Sequence, residues 1–133
     1  MTVLADTSAL IAAQRPGPTT RAQLDELADD ALWICDVVRL EMLRGANNPR
    51  HLAALRAELD GLRNAPIDGA VWQRAEEVYE GLAQLRGGRH RGVQPADVLI
   101  AAAAEAHDLP VLHDDSDFDL IAEITGQPMI RLP

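Results

Sequence analysis

Asp6, Glu41, Asp97 and Asp115 are the side chains whose types and settings could do chemistry, because each carboxylate stands beside hydrophobic sequence. Asp6 follows Val3-Leu4-Ala5, and Glu41 shares a half-apolar helix face with Val37, Leu40 and Arg44. Asp97 opens an apolar run over residues 98–106, and Asp115 lies just past Leu109-Pro110-Val111-Leu112-His113. Acids crowded together from separate segments repel one another, which raises the pKa of at least one. A hard cation relieves that repulsion; Mg²⁺ and Mn²⁺ take oxygen ligands, keep several waters and suit a site of carboxylates. Such an ion can lower the pKa of a bound water and neutralise charge on a scissile phosphate. The chemistry implied is phosphodiester hydrolysis. In that arrangement Asp6 and Asp97 are direct ligands, and Asp115 is a ligand or holds a water on the ion. Glu41 orients or deprotonates the attacking water, and Thr7 or Ser8 hydrogen-bonds the ligand groups.

For these acids to meet, the elements that carry them must converge. Val3-Leu4-Ala5 reads as a short buried strand that stops at Asp6, followed by a helix over Thr7–Gln14 that the Arg15-Pro16-Gly17-Pro18 breaker ends. Asp6 is equally suited to cap that helix. A second helix is expected from Thr19 or Thr20, carrying Leu24, Leu27 and Ala31 at helical spacing. Leu32-Trp33-Ile34-Cys35 reads as the second strand, and residues 37–45 as a helix. The stripe Leu52, Leu55, Leu59 and Leu62 marks a further helix whose leucines are expected in the core. Residues 64–68 read as a short extended piece before a long helix with Val71, Ala75, Val78, Leu82 and Leu85 inward. These two helices are expected to pair as an arm, whose uncovered apolar surface would serve a homodimer or a partner. Residues 86–92 form a locally basic loop, and Pro95 opens a helix that is apolar almost all round and therefore buried. Residues 109–113 read as another buried strand, 120–125 as a last helix and 129–132 as an edge strand. Helices alternating with short apolar strands give an α/β fold, three layers deep, with a central and mainly parallel sheet of four to five strands flanked by helices. Right-handed crossovers put the carboxyl ends of such strands on one edge, where ligands bind.

The totals narrow the function classes. At 133 residues the chain fits one domain, spanning 1–133, and no apolar run is long enough to cross a bilayer. Its start lacks the basic region of a signal peptide, so the expected location is the cytoplasm. The lone Cys35 allows no internal disulfide and no cysteine metal site. The net charge of −9 argues against nonspecific wrapping of nucleic acid, yet leaves RNA open as a substrate. All 12 basic residues are arginine, which excludes lysine-dependent chemistry and suits either phosphate or an acidic peptide. With aromatics at 3%, a base-stacking platform is not expected.

Four segments, in order, resemble the signature blocks of PIN-domain ribonucleases, and most of all the VapC toxins of type II toxin–antitoxin modules. They are Leu4-Ala5-Asp6-Thr7-Ser8-Ala9-Leu10, Arg39-Leu40-Glu41-Met42-Leu43-Arg44-Gly45, Pro95-Ala96-Asp97-Val98-Leu99-Ile100-Ala101-Ala102, and the stretch from Leu112 through His113-Asp114-Asp115-Ser116-Asp117-Phe118 to Ala122. The resemblance covers essentially the whole chain. It implies a PIN-like fold and a Mg²⁺- or Mn²⁺-dependent endoribonuclease acting on structured RNA such as tRNA or rRNA. The family's essential acids match Asp6, Glu41, Asp97 and Asp115. It further implies a homodimer and inhibition by a cognate VapB antitoxin. Asp115 is preferred as the fourth acid because it stands three residues before Phe118, as the family's final acid does before its aromatic, with Asp117 second, as an auxiliary ligand; Asp114 and Asp119 read as a solvated turn and a helix cap.

Blander readings stand beside these. Arg39, Arg44 and the arginines of the 86–91 loop could meet RNA phosphates or antitoxin acids, or simply form surface salt bridges. His113 reads as a strand-end residue rather than a ligand, His51, His90 and His107 lack ligand spacing, and Trp33 and Trp72 read as core or interface anchors. Aspartyl-phosphate chemistry is the rival enzyme class, weakened by the missing lysine and by Ser8 two positions after Asp6. A noncatalytic module binding a divalent cation is the rival from another class.

Overall fold

The computed structural model describes residues 2–14 and 31–132. Its elements, in chain order, are β1 (Val3–Ala5), α1 (Thr7–Gln14), β2 (Leu32–Cys35), α2 (Asp36–Arg44), α3 (Pro49–Asp60), β3 (Arg63–Ala65), α4 (Gly69–Gln84), α5 (Pro95–Ala106), β4 (Val111–His113), α6 (Asp117–Thr125) and β5 (Met129–Arg131). The helix expected from Thr19 or Thr20 and the breaker before it lie outside the described residues.

Five short strands form one sheet in the order β3-β2-β1-β4-β5, and every pairing is parallel. Parallel sheets are covered on both faces, which is why the central strands read as near-continuous apolar runs. The central strands are sealed: Val3, Leu4, Ala5, Ile34, Cys35, Val111 and Leu112 are all buried. Pairing of Ala5 with Leu112 sets Asp6 alongside His113, and pairing of Leu4 with Trp33 sets it level with Cys35. The carboxyl ends of β1, β2 and β4 therefore lie together on one edge.

α5 is the core helix, with Pro95 in its first turn and every residue from Val98 to Ala104 buried. Each large aliphatic side chain so buried contributes about 1.5–3 kcal/mol. α4 lies against it and against α6, presenting Val71, Ala75, Val78 and Leu82 inward. The approach to α6 is close enough that a Cβ on Gly81 would fall 2.5 Å from Ile124 Cγ2.

Three expectations need correction. The leucine stripe of α3 is not core: Leu59 alone of the four is buried and Leu52 is exposed, because α3 packs on α2 at the border of the molecule. α3 and α4 do not form a paired arm, since α4 spends its apolar face on α5 and α6 instead. Trp72 is 57% exposed and so is no core anchor, while Trp33 is half-buried between the His107 ring and the Arg63 guanidinium. Among the described residues no helix is long and apolar enough to cross a membrane.

Candidate active site

The site is built where β1, β4 and the first turns of α1, α5 and α6 meet. Asp6 ends β1 and is almost wholly buried, at 2% exposure. Its Oδ1 accepts the Ala9 N–H at 2.9 Å, so it does cap α1. The Ser8 hydroxyl lies 2.8 Å from Oδ1 and 2.7 Å from Oδ2, and Ser8 Oγ in turn accepts the Asp114 N–H at 2.9 Å. One serine thus ties the end of β1 to the segment leaving β4. Burial raises the Asp6 pKa, and the Ser8 and Ala9 hydrogen bonds oppose that rise.

Thr7, one residue on, donates its hydroxyl to Glu41 Oε1 at 2.8 Å, which fixes the glutamate of α2 against α1. Asp97 enters from the first turn of α5. Its pKa is pushed up to about 7, first by burial and then by the charges of Asp115, Asp6, Asp117 and Glu41. Those causes put Asp115, Asp6, Asp117 and Glu41, which come from three other segments, within electrostatic reach of Asp97.

Asp115 and Asp117 complete the cluster. α6 starts at Asp117, three residues earlier than the periodicity indicated, because Asp115 Oδ1 accepts the Asp117 N–H at 2.9 Å and starts the helix there. Asp119 lies inside the first turn of α6 and does not cap it. Asp119 is exposed and pairs with Arg131 at 3.2 Å, and Asp114 is exposed in the turn. Burial and the Asp115 charge raise the Asp117 pKa, and Arg89 of the basic loop opposes this.

Asp97, Asp115 and Asp117 each offer a ligand atom, all within 4.8 Å of one another. This donor set is oxygen only, anionic and mutually repelling, which fits a hard divalent cation. Asp117, second choice and auxiliary in the sequence reading, enters the set, where the sequence preferred Asp6 with Asp97 and Asp115. Asp6 is not a member of that close group and acts on it through its charge. His113 was read as a plain strand-end residue, and it is fully buried with Nδ1 accepting the Asp115 N–H at 3.2 Å. Of the arginines, Arg39 is spoken for by Asp60, whereas Arg44, Arg86, Arg89 and Arg91 are exposed.

Comparison with known proteins agrees with this architecture. A family model described as the PIN domain matches residues 3–124. Ribonuclease VapC18 of Mycobacterium tuberculosis is 44% identical over 128 residues, covering 96% of this chain and 93% of the relative. The DNA-bound VapBC structure from Salmonella typhimurium shares the fold, with a TM-score of 0.79 at 20% identity over 98% of each chain. Mycobacterium tuberculosis VapC20, a sarcin–ricin-loop-cleaving toxin, aligns with a TM-score of 0.66 at 17% identity over 89% of this chain and 93% of its own. By both the family match and the near-full-length relative, the chain belongs to the PIN-domain family and, within it, to the VapC ribonucleases.

Proposed function

We propose that the chain is a Mg²⁺- or Mn²⁺-dependent endoribonuclease toxin that cuts structured RNA such as tRNA or rRNA and is held inactive by a cognate VapB antitoxin. The observation that carries this reading is the meeting of Asp97, Asp115 and Asp117 within 4.8 Å on the carboxyl edge of the sheet. Asp97, Asp115 and Asp117 would hold the ion, with Asp6 beside them. A bound divalent cation supplies charge neutralisation at the scissile phosphate and a more acidic water.

The protein's own groups set the geometry. Glu41, steadied by the Thr7 hydroxyl, is placed to orient the attacking water and accept its proton as the P–O bond to the leaving oxygen breaks. Ser8 holds Asp6 and the 113–115 segment in register. Exposed Arg89, close enough to influence Asp117, gives an incoming phosphate a positive neighbour in an otherwise acidic site. An aspartyl-phosphate mechanism is disfavoured because Asp6 is buried with both oxygens engaged by Ser8.

The VapB partner is supported by the Salmonella structure, a VapBC assembly of the same fold. A homodimer and a cytoplasmic location belong to the same proposal. The test is incubation of purified protein with total RNA and Mn²⁺, with chelator and Asp97→Ala controls. Discrete fragments that vanish in both controls are expected; RNA left intact by the wild-type protein defeats the reading.

A further inference from the structure

His113 sits at the last position of β4 with no exposed surface, its ring 5.1 Å from that of Phe118. A site so enclosed and apolar would be filled more favourably by leucine or phenylalanine, since a buried polar atom without a partner is expensive. The imidazole pays that penalty: among the described residues Nε2 has no hydrogen-bond partner, and the carboxylate oxygen that approaches it, Asp119 Oδ1, is 4.0 Å away. What it does make is one bond, accepting the Asp115 N–H on Nδ1 at 3.2 Å. A nitrogen that accepts carries no proton, so the ring proton belongs on Nε2, the unpartnered side. The residue held by that bond is the one whose Oδ1 fixes the Asp117 N–H.

We propose that His113 is a positioning residue, its buried Nδ1 anchoring the Asp115 main chain so that the carboxylates of Asp115 and Asp117 stay gathered against Asp97. The bond reaches the cluster from behind, through a side chain that cannot itself contact substrate. The Phe118 ring and the β4 backbone lock the imidazole, and the imidazole locks the turn between strand and helix. Groups that orient ligands in this way typically affect metal affinity 10–100-fold when removed.

The inference rests on the proposed metal site only for what Asp115 does, and it is tested by crossing two substitutions. His113→Leu keeps apolar volume and removes the acceptor; His113→Asn sacrifices ring packing with Phe118 but returns an oxygen near the place of Nδ1. Mn²⁺ affinity is read by calorimetry on the purified full chain, alongside thermal melting. The leucine variant is expected to bind Mn²⁺ about tenfold or more weakly with its Tm kept, and the asparagine variant to recover affinity despite a lower Tm. Equal Mn²⁺ affinity in wild type and His113→Leu, or weaker binding by asparagine than by leucine, overturns the inference. A long-range ¹H–¹⁵N correlation spectrum of the metal-free wild-type protein reads the same bond without any variant: the His113 proton should be on Nε2, and a proton on Nδ1 overturns the inference. A wild-type protein that neither binds Mn²⁺ nor cuts RNA removes the nuclease reading and this role with it; an active, Mn²⁺-binding protein indifferent to His113→Leu removes this role alone.

Discussion

In its last turn α5 carries Glu105, whose carboxylate receives Arg74 Nε at 2.6 Å and Nη2 at 3.2 Å. In its first turn the same helix carries Asp97, whose surroundings are Asp115, Asp6, Asp117 and Glu41. Among the described residues Glu105 therefore has a two-pronged cationic partner, and Asp97 has none within salt-bridge distance. The helix dipole favours a carboxylate at the first turn and disfavours one at the last, so it does favour Asp97, but by too little to offset burial and four like charges. The difference teaches that the two ends serve different ends: Arg74 and Glu105 join α4 to α5 in the folded chain, whereas the charge at Asp97 is left to be answered by something that binds.

Replacing the acid at the unanswered end should have the largest effect. Asp97→Ala is expected to reduce RNA cleavage by more than about 100-fold, beyond what loss of a merely orienting group produces. A variant that cuts within a few-fold of wild type would erase the contrast between the two ends. Next in size is a dependence on pH. With Asp97 titrating at about 7 and required in its ionised form, Mn²⁺ affinity should fall about tenfold from pH 8 to pH 6. Calorimetric titrations at the two pH values check this, and a flat profile would mean that Asp97 either is not a ligand or does not titrate between pH 6 and pH 8.

The same shift sets the stability of the metal-free protein. Folding lifts the Asp97 carboxyl from 3.8 to about 7, so its contribution favours the fold fully below pH 3.8 and is lost as the pH rises through 7. Removing the charge at pH 8 should therefore stabilise. Asp97→Asn is expected to raise stability by about 1–2 kcal/mol, allowing for partial solvent screening, and Tm by a few degrees, measured with chelator present. Smallest is the effect at the satisfied end: Arg74→Ala should lower stability by about 0.5–1 kcal/mol while leaving RNA cleavage unchanged. Loss of cleavage in that variant would tie the two ends together in a way their geometry does not.

Much of the fold was legible because it follows local pattern. The strands Leu32–Cys35 and Val111–His113 and the largely apolar α5 announce themselves by composition, and parallel order follows from their alternation with helices. The α3 leucines misled because periodicity reports which residues share a face, and what covers that face depends on where the helix lands. Of the two places offered for Trp72, core or interface, the packing of α4 removes the core for the same reason. In the site, Asp97 stood out in sequence as a charge opening a buried helix. Asp117 was legible as second choice to Asp115 and auxiliary to it, whereas His113 was not, since its bond to the Asp115 N–H depends on how the buried ring packs.

The sequence by itself determined that acids would gather: strand ends, helix starts and right-handed crossovers leave Asp6, Asp97 and Asp115 one shared edge. Only the tertiary structure decided which carboxylates come within 4.8 Å of each other and which, like Asp6, act from beside them. The physical reason is range. Hydrophobic pattern positions elements to within a few ångströms, while the site is fixed by hydrogen bonds such as Asp114 N–H to Ser8 Oγ and Thr7 to Glu41, which form only after those elements have packed.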